Sequence, residues 1–336
     1  RWQNWAAYRQ GEFSVVVAEA QFAAARQDLI VRVSQAYFDV LLAQETVTTA
    51  AAQKTAIAQQ LESAKRNFEV GTATITDTHE AQARFDLAVA TEIAAQSDLT
   101  VKRQALLTLI GKDPEFLKAL RTGAQIGRPQ PDDMMKWAET AETGNLSVAQ
   151  AQAALEIADQ EVAKQRAGHL PTLDLVATHG KSGAGYGSTG TGFDSKASTI
   201  GVQLTVPIFA GGAVMSRDRE AVALREKAIA DLDNARRQAT LGARQAYLGV
   251  SSGLSQVKAF EAAVASSQSA LDSNKVGYEV GVRINIDVLN AQSQLFDTRQ
   301  KLSKARFDTL IAQLRLKQAA GNLIEEDLVA INALLE

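Results

Sequence analysis

The sequence Phe68-Glu69-Val70-Gly71-Thr72 returns 210 residues later as Tyr278-Glu279-Val280-Gly281-Val282. The two stretches share an aromatic residue, the Glu-Val-Gly core and the spacing to a following aspartate, Asp77 or Asp287. Each interrupts a long region rich in Ala, Gln, Glu, Arg and Lys, in which apolar residues recur at helical spacing. Glycine permits the left-handed backbone that ends a helix in a tight turn. Both stretches therefore predict the tip of a helical hairpin.

The same offset aligns most of the chain, which indicates an internal duplication. Identical residues fall in register without a gap at four further places: Ala25-Arg26 with Ala235-Arg236, Gln35-Ala36-Tyr37 with Gln245-Ala246-Tyr247, Ala81-Gln82 with Ala291-Gln292, and Gly111 with Gly321. Alanine matches alone would mean little, but a register that also holds tyrosine, glycine and aspartate is hard to obtain by chance. We therefore expect a protomer built from two related structural repeats.

Proline-free regions predict where the helices lie, since a proline inside a helix costs about 3 kcal/mol. The expected helices cover residues 11–68, 76–110, 146–168, 212–278 and 286–320. The expected division is a first repeat at 1–126, a surface connection at 127–145 and a second repeat at 146–336, with its helical hairpin at 211–320. Mapping the second repeat back by 210 residues places one helix and one β-hairpin before residue 1. We therefore expect that the chain as given lacks its first helix and first β-hairpin.

Composition excludes several classes of function. The 336 residues contain no Cys and only three His, which argues against disulfides, thiolate chemistry and a histidine-based metal or catalytic site. A net charge of −3 supplies no cationic field for nucleic acid. The sequence has no phosphate-binding Gly-Lys-Ser/Thr loop and no nucleophile elbow. We therefore expect no enzyme, no metal and no cofactor.

Residues 171–209 predict a β-hairpin. Its second segment alternates between small or polar residues and the apolar residues Ile200, Val202, Leu204, Val206 and Ile208. We expect strands at 170–178 and 199–209, joined by a Gly/Ser/Thr-rich loop at 180–192. Strands with one apolar and one polar face suit a membrane β-barrel, with lipid outside and water inside. A barrel needs at least about eight strands, and three copies with four strands each would supply twelve.

These motifs resemble the TolC-type outer-membrane channel family over the whole chain. Besides the two tips, the matching stretches are Gly168-His169-Leu170-Pro171-Thr172-Leu173-Asp174-Leu175, Val206-Pro207-Ile208-Phe209-Ala210-Gly211-Gly212, Gly321-Asn322-Leu323 and Asp327-Leu328. The resemblance implies a homotrimer with a twelve-stranded β-barrel in the lipid of a Gram-negative outer membrane, continued by a long periplasmic α-helical barrel. It also implies a passive exit duct for drug efflux or type I protein secretion. The implied partners are a periplasmic adaptor (membrane fusion) protein and an inner-membrane ABC or proton-driven pump.

The resemblance assigns roles to the two tips. Thr76 and Asp77 match one side of a polar gate latch, and Tyr278 and Arg283 match the other side. The turns match the surface on which the adaptor docks, which comprises Val70, Gly71, Thr72, Val280, Gly281 and Val282. Simpler explanations remain open, because an aspartate in the first turn favours a helix start without any gate. An exposed arginine and a packing tyrosine are likewise ordinary features of a helix tip.

The resemblance also implies a constriction in the tunnel. Asp287 lies where the family places one acid, whereas the second acid, three residues later, is Asn290 here. Asp287 is otherwise an ordinary first-turn acid, and only three-fold symmetry makes it part of a ring. A strongly anionic double ring is therefore not expected.

A rod-like periplasmic coiled-coil scaffold or adaptor is the alternative from another class, because it would share the long alanine-rich helices. The predicted β-hairpin discriminates between the two. A soluble scaffold has no use for strands that expose an apolar face, so the sequence favours the channel.

Overall fold

The computed structural model describes residues 1–113, 116–121, 123–184 and 192–336. Its helices are α1 (Trp2–Glu69), α2 (Ile75–Ile110), α3 (Met134–Gly144), α4 (Leu146–Arg166), α5 (Ala213–Glu279), α6 (Asn285–Ala319) and α7 (Asp327–Asn332). Two antiparallel strands, β1 (Thr172–Ala184) and β2 (Phe193–Thr205), form one sheet. In the part of the chain thus described, none of the helices has the length and apolar character needed to cross a membrane. The residues form two compact units, Arg1–Ala23 with Leu146–Arg237 and Ala24–Asn145 with Gln238–Glu336.

The two helical hairpins keep the offset found in the sequence. α1 and α5 end at Glu69 and Glu279, while α2 and α6 begin at Ile75 and Asn285, so equivalent ends are 210 residues apart. α1 begins well before residue 11, because Gly11 lies inside the helix, where glycine costs only about 1 kcal/mol.

The second unit contains a hydrophobic core formed by α1, α6 and the C-terminal residues. The rings of Phe38 and Phe307 stack at its centre with 5.4 Å between their centroids. The other buried members are Ile30, Val31, Leu41, Leu310, Ile311, Leu314, Leu323, Ile331 and Leu335. The end of the chain is fixed beside this core, because Ala119 and Glu336 exchange backbone hydrogen bonds of 3.1 and 2.9 Å. No periodic pattern in the sequence predicts this pairing.

The connection between the repeats is less exposed than the sequence predicts. Trp137, on α3, is only 4% exposed, and its indole Nε1 donates to the Pro131 carbonyl at 2.7 Å. The Arg128 guanidinium and the Tyr247 hydroxyl bind Asp132 at 2.8 and 2.7 Å, and both hold the pKa of that carboxyl below its usual value. The expectation of a surface connection is therefore wrong at Trp137, since an indole whose single donor is satisfied is favoured in the interior.

The β-hairpin has longer strands and a shorter loop than expected. Residues 180–184 belong to β1 and pair with 193–197 of β2, so the expectation that they form a loop is wrong. The rest of that loop, residues 185–191, lies outside the described residues. β2 ends at Thr205 rather than at residue 209, because Pro207 has no N–H to donate to a strand ladder.

One face of this sheet is apolar and exposed. Cross-strand pairs place Leu173 beside Leu204 and Leu175 beside Val202, and Ile200 follows on the same face. These five side chains are between 63% and 80% exposed. A contiguous apolar surface of this kind marks a contact with lipid or with another protein.

Candidate functional site

The first hairpin tip is a tight turn followed by a capping box. Gly71, just beyond α1, has a φ of +78°, and the Thr72 N–H donates back to the Asn67 carbonyl at 2.8 Å. The Thr74 hydroxyl then accepts from the Asp77 N–H at 3.3 Å, while the Asp77 carboxylate accepts from the Thr74 N–H at 2.9 Å. Asp77 thus stabilises the start of its own helix, as the simpler explanation predicts.

The second tip repeats the turn without the cap. Gly281 also has a φ of +78°, but Ile284 stands at the N-cap of α6 and makes no side-chain cap bond. Asp287 instead lies 3.7 Å from Nη1 of Arg283. The Arg283 side chain lies directly over Gly277, since a Cβ placed there would be 2.7 Å from Arg283 Cγ. Glycine at 277 therefore leaves room for Arg283 in this position.

Polar contacts bridge the two hairpins close to their tips. They are Asn67 Nδ2 to Tyr278 Oη at 2.9 Å, the side-chain amide of Gln60 to that of Asn285, and Arg84 Nη2 to Asn290 Oδ1 at 3.1 Å. Each joins α1 or α2 to α5 or α6. An apolar cluster below them also draws on both hairpins, because Leu289 of α6 packs with Ile57 and Leu61 of α1 and with Ala81 of α2.

The residues of the predicted latch lie close together but have other partners in one protomer. Asp77, Tyr278 and Arg283 line one cavity of about 580 Å³ between the turns, whereas Thr76 is exposed at the start of α2. Asp77 bonds within its capping box, Tyr278 bonds to the first hairpin, and Arg283, in the turn, pairs with Asp287 of the helix that follows it. A direct latch between the two predicted pairs stays a prediction.

The bridging residues of the first hairpin are not among those predicted from the sequence, although their spacing carries a signal. Gln60 and Asn67 are seven residues apart, as are Asp77 and Arg84. Residues seven apart lie on nearly the same face of a helix. Polar residues at this spacing from the tip motifs mark the helix faces that meet the second hairpin.

The turns themselves present an apolar surface. Val70, Val280 and Val282 are 72%, 67% and 79% exposed. All three belong to the stretches predicted as adaptor-docking turns, together with Gly71, Thr72 and Gly281. A pair of exposed apolar turns at the end of two packed hairpins is suited to contact with another protein.

The predicted constriction residues lie one turn apart on α6. Asp287 is half-buried beside Arg283, and Asn290 is exposed and accepts from Arg84. Within the four ranges that the structure describes, acidic and histidine side chains form no group of three or more able to hold a metal ion. The tips therefore offer polar and apolar contact surfaces.

Comparison with known sequences finds relatives over almost the whole chain. The family model described as outer membrane efflux protein matches residues 1–112 and 137–322. Outer membrane protein TolC of Vibrio cholerae is 34% identical over 332 residues, which cover 98% of this chain and 76% of that protein. Alkaline protease secretion protein AprF of Pseudomonas aeruginosa is 35% identical over 336 residues, which cover 99% and 69%.

Solved structures show the same fold. The outer membrane protein VceC of Vibrio cholerae matches with a TM-score of 0.78 at 20% identity, over 95% of this chain and 76% of that chain. CusC matches with a TM-score of 0.79 at 19% identity, over 95% and 74%. The family match over most of the chain and the relatives above 30% identity together show that this chain belongs to the outer membrane efflux protein family, and that it is a transport channel of the outer membrane rather than an enzyme.

Proposed function

We propose that this chain is one protomer of a trimeric, passive exit duct that is closed at its periplasmic helix tips. The observation that carries the proposal is the pair of equivalent tips, bridged by Asn67–Tyr278 and Arg84–Asn290 beneath exposed valine turns. Contacts that are individually weak and close to the tips suit an element that must open.

The exposed face of the β-hairpin supports trimer formation. The sheet consists of two strands, and its apolar side chains have no cover within the described residues. A barrel of twelve strands, four from each of three copies, would bury the sheet edges and turn this face towards lipid. The exposed apolar face therefore disfavours the coiled-coil scaffold, because a soluble scaffold would leave that face in water.

The gate has two sets of contacts. The first is the set of bridges within a protomer, and the second is the predicted latch of Thr76 and Asp77 against Tyr278 and Arg283 around the shared cavity. Asp77 retains acceptor capacity while it caps α2, because an ionised carboxylate has about four lone-pair sites. An adaptor that binds the valine turns would draw the second hairpin away from the first and open the entrance.

The proposed partners are a periplasmic adaptor protein and an inner-membrane pump, either ABC-type or proton-driven. The relatives include a protein named for the secretion of alkaline protease and proteins named TolC. We propose that the cargo is exported through the duct by such a pump, as a secreted protein or as small toxic molecules.

Reconstitution in planar lipid bilayers tests the proposal. The purified protein should form trimers in detergent and insert as channels with a low resting conductance. A protein that remains monomeric, or trimers that never produce discrete current steps, would refute the duct.

A further inference from the structure

Arg84 places a permanent positive charge beside the predicted constriction. Its Nη2 lies 3.1 Å from Oδ1 of Asn290, and it stands seven residues after Asp77 on nearly the same face of α2. A guanidinium carries one delocalised positive charge on a planar fork of N–H donors.

The neighbouring side chains leave this charge without a full counter-charge. Asn290 is neutral, and the carboxylate of Asp287, one turn earlier on α6, is already 3.7 Å from Arg283. The described part of the chain holds no acid within ion-pair distance of Arg84. The single acid of the predicted constriction is thus paired with Arg283, whereas the Arg84 charge is bound to a neutral amide one helical turn further along α6.

We propose that Arg84 determines the ion specificity of the entrance: it fastens α2 to α6 through Asn290 and prevents multivalent cations from binding at Asp287. The proposal rests on the proposed function, because three-fold symmetry brings three copies of each group to one aperture. In that arrangement three Arg84 guanidinium groups flank three Asp287 carboxylates. The positive charge of Arg84, bound to Asn290 one helical turn from Asp287, disfavours the approach of a trivalent cation.

The role of Arg84 predicts a non-additive response to substitution. Asn290→Asp alone adds a carboxylate directly within reach of Arg84, which then pairs with it and masks the new charge. Arg84→Gln alone removes the repulsion but leaves one acid in each protomer. The double variant unmasks two acids in each protomer, so its affinity for a trivalent cation should exceed the product of the two single effects.

Block of the single-channel current by hexaamminecobalt(III) provides the test. We expect Asn290→Asp to strengthen block by less than about threefold, Arg84→Gln by about tenfold, and the double variant by about a hundredfold. Arg103→Gln is the matched control, because it removes the same charge from an exposed site further along α2 and should leave block unchanged. If Asn290→Asp alone equals the double variant, Arg84 does not mask the site and the proposal is wrong.

A binding measurement tests the role of Arg84 independently of the proposed conduction through the duct. Isothermal titration of hexaamminecobalt(III) into the detergent-solubilised protein needs no ion conduction. The same order of affinities in a protein that carries no current would support the role of Arg84 and refute the duct. Equal affinities in all variants would refute the role of Arg84, even in a protein that conducts.

Discussion

Tyr278→Phe removes one hydroxyl from the contact between the two hairpins and leaves the ring in place. That hydroxyl accepts from Asn67 Nδ2 at 2.9 Å in a half-buried position. A hydrogen bond of this kind contributes about 0.5–1.5 kcal/mol net. Three protomers that open together would lose about 1.5–4.5 kcal/mol, which shifts a two-state gate by about tenfold to a thousandfold. Removal of the Tyr278 hydroxyl from all three protomers should therefore raise the population of the open state strongly.

Single-channel recording in planar bilayers measures this shift directly. Tyr278→Phe should raise the mean conductance, and Tyr278→Phe with Arg283→Ser should raise it further, because Arg283 lines the same cavity. Tyr8→Phe is the matched control, since Tyr8 is 60% exposed and stacks on Trp5 far along α1 from the tip. Trimer content should match the wild type in all variants, and the melting temperature should fall only slightly, because each substitution removes polar contacts and leaves the hydrophobic cores intact.

Unchanged conductance in intact trimers would show which of these contacts does not hold the gate. If the double variant also conducts like the wild type, neither the hydroxyl nor the guanidinium holds the gate. If only the double variant opens, Arg283 carries the closed state and the Asn67 contact does not.

Three further substitutions probe the tips and their support. Asp77→Asn keeps an oxygen that can cap Thr74 but removes the charge, so the latch predicts raised conductance at an unchanged melting temperature; wild-type conductance would leave Asp77 with its capping role alone. Gly277→Ala places a Cβ 2.7 Å from Arg283 Cγ and should displace that side chain, which raises conductance without loss of trimers; an unaltered gate would show that the position of Arg283 is irrelevant. Leu289→Ala opens a cavity between the hairpins and should cost about 2–5 kcal/mol in a denaturant titration, and a loss below about 1 kcal/mol would contradict the packing described there.

The helices and their tips could be predicted from the sequence because the signals are local. The Glu-Val-Gly motif and the 210-residue offset placed both helix ends within one or two residues. The β-hairpin was predicted less well. Residues 180–184 have the composition of a loop, and they are strand residues only because a partner strand lies opposite.

Contacts between distant elements escaped prediction for the same reason. Arg84 and Asn67 look like ordinary polar helix residues, and only the packing of α2 and α1 against the second hairpin gives them partners. Burial of Trp137 likewise depends on the Pro131 carbonyl and on neighbouring apolar side chains of α5 and α6. Single-residue patterns do not encode such long-range pairings. The seven-residue spacing of polar residues, however, restricts which helix faces can meet the second hairpin.

The difference between Thr74 and Ile284 makes two turns of equal backbone shape unequal in local stability. An N-cap side chain is worth about 1 kcal/mol, so the first turn of α6 opens about five times more readily than that of α2. Fraying at that end would release Asp287 and Asn290 together, since both lie within the first two turns of α6. The lack of a capping hydroxyl at Ile284 thus makes the start of α6 the part of the two tips that opens first, while the capped start of α2 stays folded.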